Sequence, residues 1–567
     1  MLCLFGVVPE HLRHPLFAHL EDTLAVLPTF PTRGAEHVHV LYEPSQFYQT
    51  LLDRIRTAQR RIFIASLYVG KEETELVQTL HSALRANPSL RLTFLVDYLR
   101  STREHPSPSS ASLLASLAAA FPTQVDLRLF HTPALHGWAK EYVPKRFNEG
   151  WGLQHMKVYG FDDDVILSGA NLSHDYFTNR TDRYLLFRQH APLASYFSSL
   201  LSLISRASFR VTASDTSTAH PALDIGWPED NLTAKNPFDD PRTLIPDLKS
   251  SAHEALESLT RTWQRKSPQE LASSLPPFPS PLPSSAPSSR SKPSSRTPFP
   301  AHFDTSLRPV LQMGPFRIAQ ETSLVVPEIF RAANALATAP GGRNTTLDWT
   351  SGYFGLREDY KKLVLDSYAN VRIVSASPEA NGFHNSRGVS RFIPPAYTYF
   401  AQRFHQDILA KRAEREKRRG SEEGVRVEMR EWKREGWTYH AKGIWLAPAL
   451  SNPFSPPAAD PSTSFTPATY LTDPHDHDFS LRYAHPSPPF LTLLGSSNYG
   501  GRSAARDLEA GVLLTTHAPQ LRWDLEKEVR GIRQYATDEV NEEMFEREDR
   551  KVPWGVRIAA RAIETML

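Results

Sequence analysis

Short apolar runs alternate with longer amphipathic ones from Val38 onwards. Val38 to Tyr42, Ile62 to Leu67, Leu90 to Val96 and Val125 to Phe130 have the length and apolar content of strands. Between them lie three helical patterns: Ser45 to Arg60, with Phe47, Leu51, Leu52, Ile55 and Ala58 on one face, Glu73 to Ala86, and Ala111 to Ala120. A helix over Ala191 to Ser205 closes this half. The alternation then resumes with a helix over Leu324 to Ala337, a strand over Leu347 to Tyr353, a helix over Asp359 to Tyr368, a strand over Val371 to Ser375 and a long helix from Ala396 to Arg419. Such alternation predicts an α/β (α+β) chain whose parallel or mixed sheets are covered by helices.

Two hairpins within this pattern carry chemistry. Val158 to Phe161 and Val165 to Leu167 are apolar strands around the acidic turn Asp162-Asp163-Asp164. His155, Lys157 and Asn171, the last in the turn Ser168-Gly169-Ala170-Asn171, therefore converge at one end of the hairpin. In the second half His440-Ala441-Lys442 enters the apolar run Gly443 to Leu446, and Leu493-Leu494 ends in the turn Gly495-Ser496-Ser497-Asn498. Eleven residues beyond Asn171 stands Asp182, and eleven beyond Asn498 stands Glu509, each opening a further apolar strand. Agreement in type, order and spacing over three elements is an internal repeat, and it outweighs the reading of either hairpin as a bare surface His and Lys. The set suits a phosphate. An imidazole attacks phosphorus, a lysine neutralises the non-bridging oxygens, and the turn offers a side-chain amide and backbone N–H groups.

The remaining chain divides around these repeats. Residues 1–35 form an N-terminal extension, 36–215 the first repeat domain, 216–305 an irregular and then Pro/Ser-rich linker in which Ser251 to Gln264 reads as helix, 306–540 the second repeat domain with a low-complexity insert at 447–489, and 541–567 a tail. His475 and His477 with their neighbouring aspartates in the insert read as a solvated tip rather than metal ligands. The charged end of the long helix, Lys411 to Arg419, mixes both signs and reads as a solvated face. In the tail, Val556, Ala559, Ala560, Ile563 and Leu567 share one helical face flanked by Trp554, Lys551, Arg557 and Arg561, a pattern that fits either an interfacial membrane segment or packing on the tail's own domain.

Two other stretches bear on binding. Ala65 to Glu72 approximates the spacing of a phosphate-binding loop, but Ala65 and Glu72 replace the glycine and hydroxyl that such a loop needs. Gly70 and Lys71 therefore enter only as cleft-lining candidates past a strand end. Arg100 and Arg103, just beyond the strand ending in Asp97, are candidates for gripping a substrate phosphate.

Composition narrows the partners. The 567 residues exceed one core, and 64 basic against 62 acidic side chains give no global field for nucleic acid. Cys3 is the single cysteine, which excludes an internal disulfide framework and a cysteine-based metal site. No apolar run approaches the roughly 20 residues that span a bilayer. Met1 to Glu10 has the pattern of neither a secretory signal nor a transit peptide.

The two His-x-Lys hairpins with their Gly/Ser-x-Asn turns resemble the phospholipase D superfamily, in which two such motifs build one site. The wording around them, Gly152-Leu153-Gln154-His155-Met156-Lys157, Tyr176-Phe177-Thr178-Asn179-Arg180, Ser377-Pro378-Glu379-Ala380-Asn381-Gly382-Phe383 and Arg506-Asp507-Leu508-Glu509-Ala510, is similar to the mitochondrial phosphatidylglycerophosphate synthase family. The resemblance implies two pseudo-repeated phospholipase D-like domains sharing one active site. It implies transfer of a phosphatidyl group from CDP-diacylglycerol to glycerol-3-phosphate, with His155, Lys157, Asp162, His440 and Lys442 catalytic and His155 the nucleophile. Gly169, Asn171, Asp182, Ser496, Asn498 and Glu509 support the phosphate and the histidines. No cofactor, metal or nucleic acid is implied. Peripheral contact with the matrix side of the mitochondrial inner membrane is. The second motif has Ala447 where the superfamily pattern has Asp, which suggests a structural role for Asp162. That departure is shared with tyrosyl-DNA phosphodiesterases, so a phosphodiesterase of the same superfamily is the enzymatic alternative. Phospholipase D, cardiolipin synthase and a non-catalytic lipid-binding protein are the others.

Overall fold

The computed structural model of the chain describes residues 15–105, 107–143, 148–213, 221–275, 303–419, 426–449 and 487–563. Most of the Pro/Ser-rich linker and of the insert, His475 and His477 included, lies outside the described residues, as do the first fourteen and last four positions.

Both halves build the same sheet. In the first, Arg61–Ala65, Arg91–Asp97 and Val125–Phe130 run parallel. Val158–Phe161, Asp164–Ser168, Tyr184–Phe187 and Val38–Leu41 then add on the other side, each antiparallel to the last. In the second half Thr346–Ser351, Asn370–Ala376 and Val427–Trp432 take the parallel places. Lys442–Ala447, Leu491–Gly495, Leu508–Thr516 and Thr305–Met313 take the antiparallel ones. Val158–Phe161, Asp164–Ser168 and Lys442–Ala447 are buried at every position, which is why they read as continuous apolar runs rather than alternating ones. Helices cover both faces, and one hydrophobic core joins the halves, with Val158, Leu167 and Leu185 meeting Leu494, Leu508 and Val512.

Three segments differ from their sequence reading. Phe30–Thr32, read as part of an extension, is an edge strand of the second sheet, paired antiparallel with Thr305 to Leu307. The irregular stretch after Thr212 contributes Asp224–Gly226 to the first sheet. It also contains a 24-residue helix, Pro241–Gln264, that starts ten residues before the expected one. Pro246 inside that helix hides it from a pattern reading, because an interior proline normally breaks the hydrogen-bond ladder. Leu248, Ala252, Leu256 and Trp263 from this helix are buried in the shared core. The tail helix, Trp554–Ile563, packs Val556 and Ala560 on Ala396, Tyr399 and Phe400 of the long helix Ile393–Arg419.

Candidate active site

The two hairpins meet through their backbones. The His155 N–H donates to the carbonyl of Leu508 at 2.9 Å, and the Leu508 N–H returns a bond to the Leu153 carbonyl at 2.8 Å. The His440 N–H donates to the carbonyl of Thr181 at 2.9 Å, where Arg180–Thr181 pairs in parallel with Thr438–Tyr439. Leu508 precedes Glu509 and Thr181 precedes Asp182 in the chain, so each histidine is laid beside the acidic residue of the opposite half.

The side chains follow that crossing. His155 Nδ1 is 3.0 Å from both carboxylate oxygens of Glu509, and the Ser496 hydroxyl donates to Glu509 Oε2. His440 Nδ1 is 2.7 Å from Asp182 Oδ2, while the Arg183 N–H holds Asp182 Oδ1 at 2.8 Å. The carboxylates favour the tautomer with the proton on Nδ1 and an unprotonated Nε2, and at His440 the Lys442 Nζ also lies 2.7 Å from Nδ1. Lys157 and Lys442 sit two residues on, which returns them to the same face of their strands. Their ammonium groups donate to the carbonyls of His155 and His440 at 2.7 and 2.8 Å. Gly169 leaves room for this arrangement: a Cβ there would lie 2.5 Å from Asp182 Oδ1 and 2.7 Å from Lys442 Nζ.

Burial sets the protonation states. His155 and His440 are held well below the usual histidine range, first by loss of water and then by the neighbouring lysines. Burial pulls Lys157 well below its ordinary value and Lys442 down to about 8, with Glu509 and Asp182 opposing the two shifts respectively. Asp182 is pushed up to about 6 by burial, with Lys442 opposing, and Glu509 is raised for the same reason with Lys157 opposing. Near neutral pH the site therefore holds two uncharged imidazoles beside the Asp182 carboxylate and the Lys442 ammonium.

The other candidates fall at different distances from this centre. Asn171 Nδ2 donates to the Tyr176 hydroxyl at 3.2 Å, and that hydroxyl is 3.2 Å from His440 Nε2. Asn171 Oδ1 and Asn498 Oδ1 are buried acceptors without a hydrogen-bond partner, so it is the NH₂ end of each amide that can donate to a phosphate oxygen. Asp162, grouped with the catalytic residues by resemblance, is not among them. It turns the far end of the hairpin at φ 51°, and its carboxylate accepts the backbone N–H groups of Gln59, Arg60 and Arg61 at 2.7 to 3.0 Å. Arg103 ion-pairs with Glu149, and Arg100 lies 4.3 Å over the ring of Tyr68. The Gly70 N–H donates to the Leu172 carbonyl at 2.7 Å, and Lys71 is exposed. Among the described residues, ligand atoms of His155, Asp507 and Glu509 lie within 4.8 Å of one another. Asp507 is already engaged, accepting from the Leu153 N–H and from Arg502 Nε, both at 2.9 Å.

Sequence reasoning assigned no role to three residues at the rim. The rings of Tyr176 and Tyr353 meet His440 edge-on, with centroids 5.1 and 5.5 Å away, and Arg180 stacks 4.7 Å over Tyr176. The position of Arg180 two residues before Asp182 was the available signal.

No family profile matches the chain. Its sequence is 36% identical over 536 residues to the CDP-diacylglycerol–glycerol-3-phosphate 3-phosphatidyltransferase of Saccharomyces cerevisiae, covering 93% of this chain and 87% of that protein. The corresponding protein of Schizosaccharomyces pombe is 35% identical, with 93% and 94% covered. The chain belongs to the CDP-diacylglycerol–glycerol-3-phosphate 3-phosphatidyltransferase family. The Homo sapiens relative, whose name adds "mitochondrial", is 33% identical over 547 residues, with 94% of this chain and 83% of that protein covered. Among solved structures, the phosphatidylserine synthase of Haemophilus influenzae Rd KW20 matches with a TM-score of 0.58 at 18% identity, over 97% of this chain and 99% of that one. At that identity the likeness is one of fold, and it extends to both halves.

Proposed function

We propose that the chain transfers the phosphatidyl group of CDP-diacylglycerol to glycerol-3-phosphate, giving phosphatidylglycerophosphate and CMP through a phosphatidyl-histidine. The observation that carries this reading is the crossed pair: two buried neutral histidines, each oriented by the other half's carboxylate, with a lysine folded back on the carbonyl of each. Nε2 of His155 attacks the phosphorus bonded to diacylglycerol, and the bond from that phosphorus to the CMP oxygen breaks. The substrate's own negative charge favours the imidazolium at His440, which gives its proton to the departing oxygen. His440 Nε2 then takes the proton of the glycerol-3-phosphate hydroxyl. The new O–P bond forms as the P–N bond breaks, and His155 is restored. Lys157, Lys442, Asn171 and Asn498 hold the equatorial oxygens through both steps.

The donor is a lipid, and no described helix is long and apolar enough to cross a membrane. We place a peripheral contact at the junction of the long helix and the tail helix. Val389 and Phe392 beside the long helix and Trp554 and Ile558 on the outer face of the tail helix are half of the eight large hydrophobic side chains exposed among the described residues. An apolar cavity of about 340 Å³ between the two helices is lined by Val389, Phe392, Ile393, Val556 and Ala560. Exposed Arg391, Arg557 and Arg561 border the patch, as an interfacial segment on an anionic bilayer requires. Tyr397, one helical turn from Ile393, stacks on Tyr353 and so continues the patch towards His440. The printed name of the Homo sapiens relative supports a mitochondrial location. The matrix side of the inner membrane follows from the resemblance.

Incubation with CDP-diacylglycerol in detergent micelles and labelled glycerol-3-phosphate tests the proposal. Labelled lipid should appear together with CMP and vanish in His155→Ala and His440→Ala. CMP without labelled lipid would assign a hydrolase or another acceptor, and no CMP from folded protein would refute the reading.

A further inference from the structure

Arg180 is held between the halves but is not neutralised by them. Its side chain is 11% exposed and its Nε donates to Thr438 Oγ1 at 2.9 Å. Its carboxylate partner, Asp175 at 3.0 Å, is 56% exposed and therefore screened by water. Arg183 and Arg502 are also well buried, yet they face the buried carboxylates of Glu528 and Asp507. Nη1 of Arg180 makes no hydrogen bond among the described residues. Gly382 lets the backbone come close to the guanidinium: a Cβ there would lie 3.2 Å from Arg180 Nη2 and 3.1 Å from the Tyr353 hydroxyl. Tyr353 and Tyr176 are the two rings that flank His440.

We propose that Arg180 and the Tyr353 hydroxyl, brought close to the backbone at Gly382, form the seat for the phosphomonoester of the acceptor. This rests on the acceptor reading given above and adds the residues that select it. A guanidinium with free N–H groups is the side chain best matched to a dianionic phosphate, and a phenol hydroxyl supplies a further donor. The spacing separates the acceptor from the other phosphates of the reaction. Three carbons part the attacking hydroxyl of glycerol-3-phosphate from its phosphate, so the molecule with a hydrogen bond at each end spans about 10 Å. Arg180 stands one tyrosine ring away from His440, in keeping with that reach. The phosphate of departing CMP carries the leaving oxygen itself and lies against His440, short of Arg180. An alcohol without the phosphate leaves the buried cation with only the water-screened Asp175 as counter-charge, which makes the seat a selector.

The test uses the full chain in detergent micelles and compares Arg180→Gln, Arg180→Lys and Gly382→Ala with the unmodified protein. Arg180→Gln should raise KM for glycerol-3-phosphate about a hundredfold while KM for CDP-diacylglycerol stays within threefold. Its preference for glycerol-3-phosphate over glycerol should collapse by the same factor. Arg180→Lys should recover part of the loss. Gly382→Ala keeps the charge but presses a methyl against Arg180 Nη2 and the Tyr353 hydroxyl, and should raise the same KM about tenfold at unchanged melting temperature. An unaltered KM for glycerol-3-phosphate in Arg180→Gln would overturn the seat. So would parallel rises in both KM values, which would hand Arg180 to the donor. Failure of the acceptor reading itself is separate, because the unmodified protein would then make no labelled lipid.

Discussion

Replacing Asp182 by asparagine changes one atom and should disable the site. Oδ1 of Asp182 accepts the Arg183 N–H at 2.8 Å, and Oδ2 lies 2.7 Å from His440 Nδ1. An asparagine amide must keep its oxygen on the Arg183 N–H, since an NH₂ group cannot accept that bond. Its NH₂ is thereby aimed at His440 Nδ1. The imidazole then carries its proton on Nε2, the nitrogen that has to take the acceptor's proton, and the base is lost. Loss of the negative charge also leaves Lys442 without its opposing carboxylate. A wrong histidine tautomer held in place by an amide costs about 10³ to 10⁴ in rate, or about 4 to 5.5 kcal/mol at 1.36 kcal/mol per decade. Glu509→Gln provides the contrast. The Ser496 hydroxyl beside it can donate or accept, so a glutamine can keep its oxygen on His155, and the loss should stay near 10²-fold or below. Transfer of labelled glycerol-3-phosphate at saturating substrates, with melting temperature measured in parallel, is the assay. A folded Asp182→Asn protein within tenfold of the unmodified rate would refute the crossed orientation of His440.

Three further outcomes follow from the same geometry. Asp182 is ionised above about 6 and Lys442 is charged below about 8, so kcat/KM should be bell-shaped with its maximum near 7; an alkaline limb above pH 10 would contradict the lysine's role. Trp554→Ala combined with Phe392→Ser should weaken binding to anionic vesicles at least tenfold while micelle activity stays within threefold, and unchanged vesicle sedimentation would remove the patch as the docking face. Arg183 is fully buried, bonds Glu528 twice at 2.9 Å and stacks 3.7 Å over Trp445, so Arg183→Met leaves Glu528 buried without its counter-charge; urea denaturation should show a loss of about 3 to 5 kcal/mol.

The elements legible in the sequence are those whose environment is set by neighbours on both faces. Arg91–Asp97, Val125–Phe130 and Asn370–Ala376 appear within a residue or two of their apolar runs because burial dictates their composition. Phe30–Thr32 was not legible: three residues with a central proline carry no period, and the strand that pairs with them begins at Thr305. Arg103 illustrates the limit for charges. A loop arginine past a strand end reads as a phosphate ligand until Glu149 is brought against it, and that partner is fixed by tertiary structure alone. The eleven-residue spacing found Asp182 and Glu509 but could not say which histidine each one holds, because the pairing depends on how two separately folded hairpins face each other.

That facing makes the two halves inseparable and at the same time unequal. Each histidine takes both a backbone bond and its orienting carboxylate from the other repeat, so neither half can fix an Nδ1–H tautomer by itself. The repeat would give two equivalent histidines if its surroundings were also repeated, and they are not. Tyr176, Tyr353 and Arg180 gather around His440. His155 is backed by Glu509, Ser496 and the Arg502–Asp507 pair, and its electrostatic neighbours are all fixed parts of the protein. A nucleophile needs one partner, the phosphorus, and benefits from a rigid seat, whereas a proton carrier has to meet two different oxygens in turn, one leaving and one arriving. Within the proposed mechanism, Arg180 and the two tyrosines beside His440 favour it as the proton carrier, and the fixed Glu509–Ser496 seat favours His155 as the nucleophile.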